Sequence, residues 1–160
     1  MHGIADIVSG LVLRLWTTFA GSAAGWLSVV GCTVGGMTQL RKNVEVFWAA
    51  AEARDWEAFA GTLAEDVAYE APMSRERVRG REAYVRFNRE FPGDWHVRVE
   101  RVVADAGEAV SWVRVTDGDD VHVGISFFRG DGEGRIVAVT DFWPEPYEPP
   151  AGREHLTERY

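Results

Sequence analysis

The sequence predicts an α+β fold in which three helices come first and a long antiparallel meander follows. Apolar residues recur mostly at helical spacing over residues 38–91, whereas apolar runs of strand length follow over residues 95–143. The later runs are separated by turns rich in Gly and Asp, which are typical of hairpins. Because the strands carry large residues on both faces, we expect the helices to cover one face of a strongly curved sheet.

The helical half contains three helices and one short strand. The first helix has apolar residues at i, i+4, i+7, i+8 and i+11, namely Leu40, Val44, Phe47, Trp48 and Ala51. Asp55 is the predicted N-cap of the second helix, and Pro72 closes a short strand over residues 67–71. Residues 73–80 are polar and predict a loop. The third helix opens at Gly80 and has Tyr84, Phe87 and Phe91 on one face.

The second half predicts four strands, over residues 95–103, 108–116, 121–129 and 135–143. The last strand is almost entirely apolar but contains Asp141. A period of two places this acid on one face together with Val137, Val139 and Trp143. An ionised carboxylate inside a protein is costly unless it has a partner or a function, so Asp141 is the first candidate functional residue.

Composition narrows the function classes. The net charge of −8 argues against a nucleic-acid surface, since phosphate binding requires clustered Lys and Arg. The single cysteine, Cys32, excludes an intrachain disulfide and a multi-cysteine zinc site. The acidic turns at 117–120 and 131–133 lack the spacing of a calcium loop. We therefore predict neither a metal nor a cofactor.

Residues 1–36 form a separate apolar segment, with Asp6 and Arg14 as its charged residues. Three interpretations stay open: a mis-assigned start before Met37, a leader or membrane anchor, and an additional ordered helix. The predicted divisions are this segment, a domain over residues 37–148 and a tail over residues 149–160. The expected location is cytoplasmic, and the alternative is a membrane-anchored protein or a lipoprotein exported and acylated through Cys32.

The order of elements, together with four short motifs, resembles the nuclear transport factor 2-like superfamily. The motifs are Asp55-Trp-Glu-Ala-Phe with Leu63-Ala-Glu-Asp-Val67, Gly80-Arg-Glu-Ala, Gly134-Arg-Ile, and Asp141-Phe-Trp143. Within the superfamily, residues 38–148 are similar to the SnoaL-like polyketide cyclase group. The resemblance implies a cone-shaped mixed sheet against three helices, an apolar pocket between them, and a homodimer formed through the outer face of the sheet.

The resemblance also permits a comparison with two classes of related enzyme. The general base of ketosteroid isomerases falls at Ala71 and their two oxyanion donors fall at Phe47 and near Gly124, so all three groups are missing. In epoxide hydrolases similar to limonene-epoxide hydrolase, the last-strand acid corresponds to Asp141. Their Arg-x-Asp pair falls at residues 112–114, which lack the second carboxylate. Neither of these two chemistries carries over directly.

The predicted site is built around Asp141. Strand phase places on its face Trp112, Arg114, His122, Gly124 and Ser126. The candidate catalytic residues are Asp141, His122, Tyr69 and Arg114. The candidate ligand contacts are Phe47, Trp48, Phe87, Trp112, Val139 and Trp143.

The leading prediction is a protein that binds a small apolar or aromatic molecule, acting as a cofactor-free cyclase or isomerase on a polyketide-like or other apolar ketone. The alternatives are a non-catalytic ligand-binding or dimerisation module and an epoxide-hydrolase-like enzyme. Two structural alternatives compete with the catalytic roles: a buried ion pair between Asp141 and Arg114, and a solvated hairpin position for His122.

Overall fold

The computed structural model describes residues 34–105 and 107–160. Its helices are α1 (Val34–Ala53), α2 (Trp56–Gly61) and α3 (Arg81–Arg89), and a 3-10 turn follows at Glu154–Leu156. The open questions about the apolar N-terminal segment concern residues that lie almost entirely outside this description. Within the described part of the chain, none of the helices combines the length and the apolar character needed to cross a membrane.

Six strands form a single mixed sheet. They are β1 (Leu63–Ala71), β2 (Glu76–Arg79), β3 (Trp95–Asp105), β4 (Glu108–Asp117), β5 (Asp120–Gly130) and β6 (Ile136–Phe142). The strand order is β2-β1-β6-β5-β4-β3, in which β1 and β6 are parallel and every other pair is antiparallel. The predicted α+β class, with a mixed sheet against three helices, is confirmed.

Two predicted boundaries in the helical half are wrong. Residues 73–80 are not entirely loop, because β2 pairs antiparallel with β1 across Tyr69 and Val78. The first strand also begins at Leu63, four residues earlier than predicted. Strand β2 has the sequence Glu-Arg-Val-Arg and is mostly exposed at the sheet edge, so its sequence carries no apolar alternation. Its pairing with β1 supplies the order that the local sequence does not encode.

The turns and caps that were predicted from side-chain chemistry are present. Asp55 caps α2 by accepting a hydrogen bond from the backbone N–H of Ala58 at 3.0 Å. Gly134 lies under α1, where an added Cβ would come within 2.9 Å of the backbone nitrogen of Leu40. Asn43 donates to the Gly134 carbonyl at 2.7 Å. The Gly-Arg-Ile motif therefore marks the point where α1 contacts the turn between β5 and β6.

An aromatic cluster centred on α1 forms the core. The ring centroid of Phe47 lies 4.4 Å from that of Phe59 and 5.4 Å from that of Phe128. The cluster continues towards α3, since Phe47 stacks at 6.3 Å on Tyr84, whose ring lies 4.8 Å from that of Tyr69. These last aromatic rings lie at the border between the packed core and an internal cavity.

Candidate functional site

A cavity of about 390 Å³ lies between the helices and the inner face of the sheet. Eight aromatic side chains line it, namely Phe47, Trp48, Tyr69, Tyr84, Phe87, Phe91, Trp95 and Trp143. Its helical wall follows from the spacing in α3, where Tyr84 and Phe87 lie on one face and Phe91 follows the helix. A mostly apolar cavity of this size fits a small organic molecule.

A row of buried polar groups crosses the inner face of the sheet. Ser111 on β4 pairs with Ser126 on β5, and Ser126 pairs with Asp141 on β6. Trp48 donates from its Nε1 to the Ser111 Oγ at 2.9 Å, which satisfies the first of the three. Within residues 34–105 and 107–160, the Ser126 Oγ and the Asp141 Oδ1 have no hydrogen-bond partner. Buried polar atoms are rarely left unpaired, so we expect a bound molecule or water to complete this end of the row.

Asp141 is the acid of this row and lines the cavity with only 7% of its surface exposed. Burial raises the pKa of its carboxyl group to about 6, because removal from water disfavours the charged form. The adjacent Ser126 and Trp143 side chains oppose this shift, although neither makes a well-formed hydrogen bond in the described contacts. A carboxyl group with this pKa exchanges a proton readily near neutral pH, as a general acid or base must.

Two tyrosines provide neutral donors near this carboxyl group. Tyr69 is 5% exposed and Tyr84 is 2% exposed, and both rings line the cavity. Burial and then the negative charge of Asp141 raise the pKa of each phenol above its usual value. Both hydroxyl groups therefore stay protonated at neutral pH. The predicted position of Tyr69 in the pocket agrees with the structure, whereas its neighbour Glu70 pairs with Arg77 outside the cavity.

Trp112 and Arg114 were expected to share the inward face with Asp141, and this expectation is wrong. The inward residues of β4 nearest Asp141 are Ser111 and Val113, which lie opposite Ser126 and Gly124. Trp112 is 46% exposed on the opposite face. Arg114 is on that face too, where its Nε lies 3.2 Å from the Oε1 of Glu100. A buried ion pair between Asp141 and Arg114 is therefore absent.

Of the other predicted residues, four line the cavity, one lies in the core and one lies at the cavity mouth. Phe47, Trp48, Phe87 and Trp143 line the cavity, as the sequence predicts. Val139 is 1% exposed and belongs to the core, outside the cavity lining.

His122 has an exposed side chain at the cavity mouth. It is therefore solvated, as one of the two alternatives predicted, and it also lines the cavity, as the other predicted.

Sequence reasoning missed several polar residues of the cavity, namely Ser74, Glu76, Asn88 and Asp117. Asn88 was accessible to it, because this residue follows Tyr84 by one helical turn. Glu76 was not, since the edge strand that positions it has no sequence signal. Across the described residues, no group of three or more His, Cys, Asp and Glu side chains is arranged to hold a metal ion.

Gly124 explains why no side chain occupies the second oxyanion position of the isomerase pattern. A Cβ at this residue would lie 2.8 Å from two ring atoms of Trp143 and 2.9 Å from a methyl carbon of Val113. The Trp143 ring therefore fills the space into which a longer side chain would extend. A glycine is required here by close packing rather than by backbone conformation.

We expect Gly124→Ala to displace the Trp143 ring and to destabilise the protein by about 1–2 kcal/mol, because the added methyl group overpacks the inner face. Urea unfolding and tryptophan fluorescence measure the two effects. Gly132→Ala is the matched control, since nothing lies within 4 Å of its added Cβ. Equal stability of the two variants would contradict the packing argument.

Comparison with known proteins assigns this chain to a protein family. The family model of the SnoaL-like domain matches residues 44–139. A crystal structure from Kribbella flavida DSM 17836, described as a "putative ketosteroid isomerase", is 48% identical. The match covers 78% of this chain and 91% of that one, with a TM-score of 0.75. A search of curated proteins finds no match.

Two more distant structures share the fold. An NTF-2 like protein of unknown function from Burkholderia xenovorans LB400 is 20% identical, over 78% of this chain and 98% of that one, with a TM-score of 0.68. An LEH-like epoxide hydrolase from M. tuberculosis is 23% identical, over 68% of this chain and 84% of that one, with a TM-score of 0.59. Together with the match over residues 44–139, these likenesses show that the chain belongs to the SnoaL-like domain family and has the cone-like α+β fold of NTF2-like proteins.

Proposed function

We propose that this protein binds a small, largely apolar molecule in its cavity and that Asp141 transfers a proton on that molecule, in a cofactor-free isomerisation or cyclisation of a ketone. The observation that carries this proposal is Asp141 itself, a buried carboxyl group with a pKa of about 6 and an unpartnered oxygen, in a cavity walled by aromatic rings.

A single carboxyl group suffices for such chemistry. The ionised form removes a proton from the carbon next to a ketone, and the electron pair of the broken C–H bond moves towards the carbonyl oxygen. The protonated form then returns the proton to another carbon or to oxygen. A neutral phenol stabilises the developing oxyanion by donating a hydrogen bond, and Tyr69 and Tyr84 are the candidates for that role. His122 at the mouth is the candidate second acid–base group.

The Kribbella flavida protein carries the name of an isomerase, which supports the general class of proton transfer. The residues of this chain argue against the arrangement used by steroid isomerases. Ala71 and Phe47 have no ionisable or donor group, and Trp143 fills the space next to Gly124. We therefore assign the proton transfer to Asp141 on β6, rather than to an acid on β1.

Epoxide hydrolysis is a weaker alternative. The likeness to the M. tuberculosis hydrolase concerns the fold alone, at 23% identity. A second carboxylate beside Asp141 would have to come from an inward position of β4. The inward positions nearest Asp141 hold Ser111 and Val113, whereas the inward acid of that strand, Asp117, lies six residues from Ser111 at the hairpin end. A hydrolase of this kind needs both a base to activate water and an acid to protonate the epoxide oxygen.

We expect Asp141→Asn to lower the rate of proton exchange on a bound ketone by about 10²–10⁴-fold, because an amide cannot accept the proton. The measurement is NMR of hydrogen–deuterium exchange in D2O, at the carbon next to the carbonyl, across a panel of cyclic and polyketide-like ketones. Glu100→Gln is the control, since its carboxylate lies on the outer face beside Arg114.

The same experiment separates the alternatives. Equal exchange rates in Asp141→Asn and in the unmodified protein would overturn the catalytic assignment. Ketone binding without any exchange in the unmodified protein would identify a non-catalytic binding module. The absence of a hydrogen-bond donor at Phe47 and Gly124, the positions of the isomerase oxyanion donors, also favours that alternative.

We also propose that the protein is a homodimer formed through the outer face of its sheet. Trp112 and Phe127 are 46% and 48% exposed on this face, and Phe127 packs edge-on against Phe142. Val110 and Ile125 lie opposite these residues in the antiparallel register. A contiguous apolar surface of this kind is typical of an interface.

We expect Trp112→Asp to weaken this dimer, because it places a charge in the centre of an apolar contact. Light scattering after size exclusion should give twice 17.8 kDa for the unmodified chain and a mass near 17.8 kDa for the variant. Tyr147→Asp is the control, because Tyr147 is 83% exposed in the tail. A monomeric unmodified chain would refute the proposal, as would an unchanged mass of the variant.

A further inference from the structure

The cavity has an electrostatic feature that its catalytic assignment does not use. Its ionisable side chains, apart from the tyrosines, are Glu76, Asp117, His122 and Asp141. Among residues 34–105 and 107–160, no Lys or Arg lines it, and none of the salt bridges involves its three carboxylates. A concave site lined by one sign of charge, with low-dielectric walls, concentrates the field inside it.

Each carboxylate is held by an uncharged neighbour or by none. Glu76 accepts a hydrogen bond from the Ser74 hydroxyl at 2.7 Å. Asp117 accepts one from the backbone N–H of Asp94 at 3.1 Å. Asp141, which is 7% exposed, lines the same cavity and has a buried oxygen without a hydrogen-bond partner. The negative charge of the site is therefore not neutralised within the described part of the protein.

The basic residues closest in sequence do not line the cavity, and these include Arg75, which lies between Ser74 and Glu76. Arg77, which follows Glu76, pairs with Glu70. Arg86 and Arg89 line a separate groove between α2 and α3. Arg54 touches the outside of one cavity residue, since its guanidinium carbon lies 3.6 Å from the ring centroid of Trp95, but it does not line the cavity.

The aromatic walls act in the same direction as the carboxylates. The face of each aromatic ring carries partial negative charge and attracts a cation at close range. The stacking of Arg54 on Trp95 shows this attraction within the protein itself. Phosphates and carboxylates, in contrast, would meet three like charges, and the lining offers them His122 but no Lys or Arg.

We infer that the cavity selects an apolar molecule that carries a protonated amine. The aromatic rings hold its hydrocarbon frame, and the ammonium group lies against the rim carboxylates Glu76 and Asp117. This inference rests on the proposed function, because it names the substrate class of the same cavity. Asp141 remains the group that exchanges a proton with the frame of the ligand.

The test compares three probes with one ring system and three charges: 2-naphthylmethylammonium, 2-naphthalenemethanol and 2-naphthoate. Calorimetric titration of the full chain at pH 7.5 should show the ammonium binding about tenfold more tightly than the neutral alcohol, with 2-naphthoate the weakest. An alcohol that binds as tightly as the ammonium, or a naphthoate that binds best, would overturn the inference.

Two rim variants locate the effect. Glu76→Gln and Asp117→Asn should each weaken binding of the ammonium severalfold while leaving binding of the alcohol unchanged, which also shows that the variants are folded. Glu82→Gln is the control, since Glu82 lines the other groove. Ammonium affinity that neither rim variant changes would refute the assignment to the rim.

The outcomes also separate this inference from the function on which it depends. Equal binding of the amine and the alcohol would remove the preference for a cation and leave an apolar ligand site intact. If none of the three probes binds at millimolar concentration, both the inference and the proposed apolar site fail.

Discussion

Asp141→Asn is expected to raise the free energy of unfolding by up to about 3 kcal/mol at pH 8, even though it removes the proposed catalytic group. The carboxyl group has a pKa of about 6 in the folded protein, against an ordinary value of 3.8. Holding it ionised in the aromatic cavity therefore costs the folded state free energy. An amide of the same shape has no charge to desolvate.

The sign of the pH dependence follows from these two values. Well below pH 4 the group is protonated in both states and costs nothing. Between about pH 4 and pH 6 the folded state binds the extra proton, so the unmodified protein loses stability as the pH rises through this window. Well above pH 6 the group is ionised in both states, and the loss of stability no longer changes with pH. The advantage of the variant should therefore be small at pH 4 and largest at pH 8.

Urea unfolding at several pH values between 4 and 8 measures this difference. Asp131→Asn is a control with the opposite sign: burial raises the pKa of Asp131, but hydrogen bonds from Arg135 and Glu133 outweigh it and keep the pKa below normal. We expect that variant to be less stable than the unmodified protein at pH 8. If Asp141→Asn were also destabilising at pH 8, the ionised Asp141 carboxylate would not be destabilising the folded state.

Phe47→Ala is expected to cost about 3–5 kcal/mol, because it opens a hole where α1, α2 and the sheet meet. Phe47 is 2% exposed, and its ring contacts those of Trp48, Phe59 and Phe128. This loss is a large part of the stability of an ordinary domain, so the midpoint of urea unfolding should fall sharply.

Phe91→Ala is the matched control for that measurement. Phe91 also lines the cavity, but it is 56% exposed after α3. Its truncation should cost well under half as much as that of Phe47. Similar losses for the two variants would show that the aromatic cluster does not form the core described above.

The fold was largely predictable because its local signals agree. The cap at Asp55 and the Gly- and Asp-rich turns of the meander each depend on residues close in sequence. Strand β2 was missed because its order comes from pairing with β1, and four mostly charged residues do not encode that pairing.

The candidate site was predictable only in part, and β4 shows why. Alternation separates two faces when one is apolar and the other polar, but in β4 Trp112 belongs to one set and Val113 to the other. Both phases were therefore plausible, and the wrong one placed Arg114 beside Asp141. At the end of β6, the predicted phase placed Asp141 and Trp143 on the inward face, and both residues line the cavity. A register irregularity at Arg129 and Gly130 shifts the pairing earlier in that strand.

The parallel pairing of β1 with β6 has a consequence for how the protein is made. Tyr69 lies beside Val139, 70 residues further along the chain, whereas the strands from β3 to β6 join neighbours through short turns. Closing so long a loop is slow compared with forming hairpins. During synthesis, β1 has no neighbour on that side until β6 leaves the ribosome. We therefore expect Tyr69 and Asp141 to come together late in folding, and a chain that stops before Ile136 to lack the Asp141 and Trp143 side chains that line the cavity.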